Sequence, residues 1–228
     1  LQSWILGSLR NADYYACDSE QSLIDLNNLI PRSKKCSGVI HLGTNLPKTK
    51  NKKNYTKLDS SFNPKKGNFI IHVGNAAWYK NRKAIFRAFK QAKGIIKDLK
   101  LVLVGPKPQS EELDDMLALW LRKNYQEIII FENICDSHLR NLYSYAKALI
   151  FPSIIEGFGW PPLEAAFCGC KVIASKTGAI FELLGGSATY IQPNDQRSIN
   201  EAIIDVLTKE REKPKVDLPS EEDCRKDY

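Results

Sequence analysis

The sequence lacks the features of several protein classes. No apolar run approaches the roughly 18 residues that a membrane-spanning helix needs. Residues 1–10 do not combine a basic start with a long apolar stretch, so we expect no signal peptide. No internal repeat is present. The apolar fraction of 43% is ordinary for a folded domain, so the chain can build a sizeable core.

Metal-binding patterns are missing as well. The six cysteines include no Cys-x-x-Cys pair, and Cys168 and Cys170 are too close for a zinc knuckle. The three histidines, His41, His72 and His138, are far apart in the sequence. We therefore expect no metal site. We also expect free, mostly buried thiols and a reducing, cytoplasmic location.

The net charge of +7 raises the question of a nucleic-acid partner. Residues 47–66 contain seven lysines and one aspartate, so this stretch holds +6 and the rest of the chain about +1. A nucleic-acid-binding face would instead interleave basic and aromatic side chains. The sequence therefore predicts a solvated linker and no nucleic-acid partner. Peripheral contact of this linker with an anionic membrane surface stays open as an alternative.

Short apolar stretches alternate with amphipathic helices from residue 68 onward. We predict strands at 68–73, 100–104, 127–131, 148–151, 171–174 and 188–191. We predict helices at 82–96, around 113–121, from an N-cap at Asp136 to 145, and at 161–167, 180–184 and around 199–207. This alternation is typical of an α/β fold, a Rossmann-like parallel sheet with helices on both faces.

The chain divides into four parts by composition. In residues 1–46 we predict a strand at 12–17, a helix at 19–29 and a second strand at 38–42. We interpret this part as a remnant of a preceding domain and the crossover from it. The full division is 1–46 for this remnant, 47–67 for the lysine-rich linker, 68–208 for the Rossmann-like domain, and 209–228 for a charged tail.

The loop after the strand at 148–151 contains the highest density of candidate functional residues. It reads PSIIEGFGWPPLEAAF, with Glu156 in the loop and Glu164 one turn into the next helix. Ligands of a parallel sheet bind at the carboxyl ends of its strands, so we expect both carboxylates to face one cleft. Gly157 and Gly159 allow close approach of a ligand, and the helix N-terminus favours an anion such as a pyrophosphate. The plainer alternative is a turn followed by an acid that complements the helix dipole.

Residues 149–205 resemble the carboxyl-terminal domain of the GT-B glycosyltransferases of retaining family 4, also called glycosyl transferases group 1. The family pattern PS-x-x-E-G-F-G-x-P-x-x-E-A is matched from Pro152 to Ala165. The segment FIIHVGNAAWYKNRKAIFRAF resembles the first strand, glycine loop and basic segment of the family. Residues 11–46 resemble the end of its amino-terminal domain. The resemblance implies that the Rossmann-like domain is the carboxyl-terminal half of a GT-B fold.

The resemblance also implies roles for individual residues. Glu164 would bind the ribose hydroxyls of a nucleotide, and Glu156 would stabilise the transferred sugar. Lys80 would neutralise the leaving diphosphate, where a fixed cation lowers the barrier. The resemblance implies three further contacts with the sugar donor. Gly74 and Asn75 of the glycine loop would contact it, and the backbone of Phe158, Gly159 and Trp160 would lie beside the sugar and the phosphates. Asn133 and Ile134 would lie near the base.

The implied reaction is transfer of a sugar from a nucleotide diphosphate, with retention, to a saccharide or lipid-linked acceptor, as in polysaccharide synthesis. It needs no cofactor and no metal. The family builds its acceptor site in the amino-terminal domain, so we expect this chain to bind nucleotide but to transfer sugar poorly by itself. Asn75 replaces the arginine usual in the family, and Arg82, Lys83 or Lys107 are candidates to compensate. This departure leaves a non-catalytic binding or scaffold module open as the alternative.

Overall fold

Strands and helices alternate along the part of the chain that the computed structural model describes, residues 9, 11–30, 37–43, 62–109, 113–209 and 214. The strands are β1 (Tyr15–Cys17), β2 (Ser37–Val39), β3 (Phe69–Val73), β4 (Lys100–Val104), β5 (Ile128–Phe131), β6 (Ala148–Phe151), β7 (Val172–Ser175) and β8 (Ala188–Ile191). The helices are α1 (Glu20–Leu29), α2 (Arg82–Ile95), α3 (Asp115–Lys123), α4 (Asp136–Tyr145), α5 (Trp160–Phe167), α6 (Ala179–Leu184) and α7 (Gln196–Thr208).

Strands β3 to β8 form one parallel sheet in the order β5-β4-β3-β6-β7-β8. The chain starts in the middle at β3, builds outward to β5, then crosses to β6 and builds the other half. The strand order therefore reverses between β3 and β6, which we call the reversal point. A reversal of this kind opens a crevice at the carboxyl ends of the strands. The loops after β3 and β6 border that crevice.

Apolar layers cover both faces of the sheet. Ile70 packs in one layer, whereas its neighbours Phe69 and Ile71 pack in the other, as the two-residue period of a strand requires. Helices α2, α3 and α7 supply the first layer, and helices α4, α5 and α6 supply the second. Strands buried on both faces need the near-continuous apolar sequences seen here. The predicted α/β class, with helices on both sides of a parallel sheet, is confirmed.

Helices α4, α5 and α6 each begin one residue before the sequence prediction. Asp136 was expected to be an N-cap, but Cys135 occupies that position and Asp136 is the first helical residue of α4. Cys135, whose backbone is extended, takes the N-cap position, so the helix begins one residue earlier and Asp136 lies in its first turn, where it complements the helix dipole. Helix α5 begins at Trp160, one residue before the prediction, because Gly159 adopts a left-handed conformation as its N-cap.

A small strand–helix–strand unit lies beside the main sheet. Strands β1 and β2 pair in parallel, and Ser19 caps α1 by accepting from the backbone N–H of Ser22 at 3.1 Å. Glu182 of α6 attaches this unit to the larger domain. Its two carboxylate oxygens accept from the backbone N–H of Glu20 at 3.2 and 3.0 Å, and Oε1 lies 2.6 Å from His41 Nε2. The predicted strand–helix–strand order is confirmed, while the origin of this unit in a preceding domain stays a prediction.

Most of the predicted lysine-rich linker and nearly all of the charged tail lie outside the described residues. The described end of the linker packs onto the domain, because the Phe62 ring lies 5.4 Å from that of Phe69 and 6.4 Å from that of Phe131. Across the described ranges, no helix has the length and apolar character to cross a membrane.

Candidate functional site

A buried ion pair lies at the reversal point of the sheet. Lys80 Nζ is 2.6 Å from Glu156 Oε1, and the two side chains are 13% and 9% exposed. Lys80 ends a 3-10 turn that follows β3, and Glu156 lies in the loop after β6. The backbone N–H of Ile154 donates to the carbonyl of Tyr79 at 2.8 Å, which joins the two loops beside the pair. The structure therefore brings the two predicted catalytic residues together.

Aromatic rings surround the Lys80 ammonium group. Nζ lies 5.0 Å from the ring centroid of Phe151 and 5.4 Å from that of Tyr79, within cation–π range. His72 Nδ1 donates to the carbonyl of Ile150 at 3.0 Å, and the ring is 1% exposed. Burial lowers the pKa of His72 to about 3, helped by the charges of nearby Arg82 and Lys80. His72 is therefore neutral, and the positive charge beside Glu156 comes from Lys80.

The glycine loop after β3 is shaped by close backbone contacts. Gly105 has a φ of 141°, and a Cβ there would lie 2.1 Å from the carbonyl oxygen of Gly74, so only glycine fits. The N–H of Gly74 donates to the carbonyl of Val104 at 3.0 Å. Asn75 Oδ1 accepts from the N–H of Ala77 at 3.1 Å and so builds the turn that leads to Lys80. The side-chain nitrogen is the part of Asn75 that could meet a phosphate.

The three residues considered as replacements for the missing arginine have other partners. Lys83 Nζ lies 3.6 Å from Asp114, and Lys107 Nζ lies 3.9 Å from Glu132. Arg82 is 3% exposed and donates to the carbonyl of Pro106 at 2.9 Å, which supports the loop after β4. The buried contact of Arg82 favours a structural role for it, whereas Lys83 and Lys107 form only exposed ion pairs and stay candidates.

Backbone packing fixes the loop that contains Glu156. Gly159 has a φ of 82°, and a Cβ there would lie 2.5 Å from the side chain of Ile180. Gly178 has a φ of 53°, and a Cβ there would lie 2.4 Å from the carbonyl oxygen of Gly157. Neither position tolerates a side chain in this conformation, so the loop is held against the start of α6 at two points.

The start of α5 offers a modest set of amide donors. Pro161 and Pro162 follow Trp160 in the first turn and have no N–H. Phe158 is 6% exposed, with its ring centroid 4.9 Å from that of Trp160, so only its backbone can meet a ligand. Within the described residues, no acceptor pairs with the backbone N–H groups of 157–159. An anion here would be bound by these loop amides and by Lys80 more than by the helix itself.

Glu164 lies one turn into α5, where it contacts a buried tyrosine. Its Oε2 accepts from the Tyr143 hydroxyl at 3.1 Å, and Tyr143 is fully buried in α4. The pKa of Glu164 is raised to about 7, mainly by burial; the Tyr143 hydrogen bond opposes this increase, and the charge of Asp136 adds to it. A partly buried carboxyl that titrates near neutral pH is typical of a ligand site.

The loop after β5 is farther from the ion pair. Asn133 is exposed, and Ile134 is partly buried against the layer that contains Tyr143. Because β4 lies between β5 and β3, this loop is two strand spacings, about 10 Å, from the loop after β3. It therefore borders the same edge of the sheet at a distance that suits one end of an elongated ligand.

Among the residues that the structure describes, no cluster of three His, Cys, Asp or Glu side chains could hold a metal ion. The described cysteines 17, 135, 168 and 170 form no disulfide, but only Cys170 is buried and Cys135 is exposed. The expectation of mostly buried thiols is wrong for these four.

A family model for glycosyl transferases group 1 matches residues 55–220. The chain belongs to this family. It is 29% identical over 146 residues to the serotype-specific mannosyltransferase WbdA of Escherichia coli, covering 62% of this chain and 18% of that protein. It is 32% identical over 148 residues to the O-antigen chain mannosyltransferase RfbU of Salmonella typhimurium, covering 64% of this chain and 40% of that protein. The chain thus spans less than half the length of these relatives.

Solved structures show the same fold. Sucrose-phosphate synthase from Thermosynechococcus elongatus superposes with a TM-score of 0.71 at 24% identity, over 90% of this chain and 51% of that one. A UDP-forming trehalose-phosphate synthase from Burkholderia xenovorans gives 0.70 at 14% identity, over 91% and 56%. Similarity at this level of identity shows the fold alone. The resemblance drawn from the sequence pattern around Glu156 and Glu164 is confirmed by the family match.

Proposed function

We propose that the chain is the donor-binding part of a retaining glycosyltransferase, which binds a nucleotide-diphosphate sugar for transfer to a saccharide or lipid-linked acceptor. The observation that supports this most directly is the buried Lys80–Glu156 pair at the reversal point. A cation and a carboxylate side by side suit a reaction in which one fragment leaves as an anion and the other becomes electron-poor.

Lys80 has the geometry of a leaving-group stabiliser. The diphosphate gains negative charge as its bond to the sugar breaks, and a cation already in place lowers the energy of that transition state. The ammonium group is fixed by Glu156 and by the rings of Phe151 and Tyr79. Little reorganisation is then needed during the reaction, which is the condition for a large electrostatic effect.

Glu156 suits the sugar side of the donor. A carboxylate repels phosphate and attracts hydroxyl donors and the positive charge that develops at the anomeric carbon. Glu164, one turn into α5, would accept hydrogen bonds from the ribose hydroxyls. The amides of 157–159 lie between the two carboxylates in sequence and would meet the diphosphate. Asn133 and Ile134 would border the base.

The relatives suggest which substrates to test first. Two of them are named mannosyltransferases of a serotype-specific or O-antigen chain type, so we propose a mannosyl donor and a polysaccharide acceptor. Because the chain spans less than half of these relatives, the acceptor is proposed to bind a part of the protein outside these residues. The absence of a cofactor, the cytoplasmic location and the contact with a membrane surface stay predictions.

One observation favours the scaffold alternative. Asn75 stands where an arginine is usual, and its side-chain oxygen is used inside its own turn. One contact to the diphosphate would then be missing. A scaffold protein would keep the fold, but its function would not depend on Glu156.

A thermal-shift titration with UDP, GDP, ADP, CMP and dTDP tests donor binding. Ligand at about 100 times its dissociation constant stabilises the folded state by about 2.7 kcal/mol, which raises the midpoint by several degrees. We expect one nucleotide to stand out and its effect to disappear in Glu164→Gln. Glu201→Gln, an exposed carboxyl on α7, is the matched control and should respond like the wild type. A shift unaffected by Glu164→Gln, or no shift with any nucleotide, would contradict the proposed site.

A further inference from the structure

We infer that Tyr143 is a positioning residue for Glu164: its buried hydroxyl holds Oε2 of the carboxylate and leaves Oε1 to accept a ribose hydroxyl of the nucleotide. The inference rests on the proposed function, because it concerns how Glu164 is prepared for its ligand. Tyr143 itself is fully buried, so it acts through Glu164 and not on the nucleotide directly.

The packing of α4 against α5 creates the contact. Tyr143 projects from α4 into the apolar layer beneath both helices, among side chains such as Leu142 and Leu163. Phenylalanine would fill this space equally well, so packing alone does not call for a hydroxyl. A buried tyrosine hydroxyl needs a hydrogen-bond partner, and Glu164 Oε2, at 3.1 Å, is the acceptor that the described residues supply.

The charged groups around Tyr143 and Glu164 explain how the tyrosine hydroxyl affects the carboxylate. Tyr143 and Asp136, both on α4, are the groups that influence the Glu164 carboxyl, while Cys168 and Cys170 also face the phenol. Burial raises the pKa of Glu164 to about 7, and the Tyr143 hydrogen bond opposes this increase. Burial also raises the pKa of Tyr143 well above its ordinary value, so the phenol keeps its proton and remains a donor.

An ionised carboxylate is the form that accepts hydrogen bonds at both oxygens. By stabilising that form, Tyr143 increases the fraction of Glu164 that is ready for a ribose at neutral pH. Without the hydroxyl, the carboxyl rotates more freely and is protonated more of the time. Nucleotide affinity should then fall at pH 7 and recover in part at higher pH.

The test compares the wild type with Tyr143→Phe. Carboxyl-labelled glutamate and 13C NMR give the pKa of Glu164 directly, with the signal assigned by its loss in Glu164→Gln. We expect Tyr143→Phe to raise this pKa and to weaken nucleotide binding about tenfold at pH 7, with the affinity–pH profile displaced in the same direction. Tyr190→Phe is the matched control, because it removes a phenol that donates to the backbone carbonyl of Gly185 instead.

A second variant keeps the test informative if Tyr143→Phe does not fold. Incorporation of 3-fluorotyrosine at position 143 preserves shape and strengthens the donor, so it should lower the pKa of Glu164 and tighten binding at pH 7. If the wild type binds nucleotide and neither change at position 143 alters pKa or affinity, the role of Tyr143 is refuted while the proposed function stands. If the wild type binds no nucleotide, the proposed function fails, and this inference with it.

Discussion

Lys80 donates a 2.6 Å hydrogen bond to Glu156 across the reversal point of the parallel sheet. The two residues come from the loops after β3 and β6, neighbouring strands whose carboxyl ends share one edge. The fold therefore creates the pair, and the Ile154–Tyr79 backbone hydrogen bond holds its two loops together. Both side chains are mostly buried, so each depends on the other for compensation of its charge.

Lys80→Met should damage both stability and chemistry. It leaves Glu156 as a buried charge without its partner, so the free energy of unfolding should fall by about 3–5 kcal/mol. Transfer by the full-length protein should fall by at least about 100-fold, because the leaving diphosphate loses its fixed cation. Urea denaturation and steady-state transfer rates measure the two effects.

Lys93→Met is the matched control for that prediction. Lys93 is 19% exposed and forms an ion pair with Glu127 at 3.3 Å, away from the reversal point. The Lys93→Met variant should lose some stability but retain the transfer rate of the wild type. Equal loss of transfer in both variants would mean that Lys80 acts only by supporting the fold.

Glu164 should make the stability of the chain depend on pH. Its pKa is raised from 4.5 to about 7, so between these values the folded state holds a proton that the unfolded state has released. The free energy of unfolding should therefore decrease as the pH rises from about 4.5 to 7, by up to about 3 kcal/mol, and level off above. Glu164→Gln should remove this decrease.

Denaturation of the wild type and Glu164→Gln over pH 4–8 measures the effect. His72, whose pKa is lowered to about 3, gives the opposite slope below its ordinary value of 6.5, so only the difference between the two proteins isolates Glu164. A pH-independent difference would show that Glu164 titrates as an ordinary carboxyl.

Two glycines in one loop should respond differently to alanine. Gly159→Ala places a Cβ 2.5 Å from the Ile180 side chain at a φ of 82°, and should cost about 2–4 kcal/mol of stability. At Gly157 a Cβ would meet nothing within 4 Å, so Gly157→Ala should change stability by less than about 1 kcal/mol. Thermal unfolding of both variants measures this, and similar losses would contradict the loop geometry.

The sequence was sufficient for the features that depend on short-range pattern. The strands at 100–104, 148–151 and 188–191 have the predicted bounds, because turn-forming residues lie next to their ends in the sequence. Glu156 and Glu164 stand in one continuous family pattern, so their shared segment could be recognised without any tertiary contact. Lys80 was implied by the resemblance of its segment to the glycine loop and basic segment of the family.

Features that depend on tertiary packing could not be predicted. Helical spacing marks Tyr143 only as a core residue. The role of its hydroxyl depends on a hydrogen bond to Glu164, which lies 21 residues later in the sequence. The raised pKa of Glu164 results from burial between α4 and α5, which no local pattern indicates. The use of Asn75 Oδ1 within its own turn likewise appears only once the path of the loop is known.

The most direct test of the account is the transfer reaction of the full-length protein with Glu156→Gln. This substitution preserves size and removes the charge beside the proposed sugar site, and Glu201→Gln controls for loss of an exposed carboxyl. Proton NMR of the product gives the anomeric configuration, and initial rates give the activity. We predict a product with the donor's configuration, a rate reduced at least about 100-fold by Glu156→Gln, and an unchanged rate in the control. An inverted product, or full activity without the Glu156 carboxylate, would contradict the account.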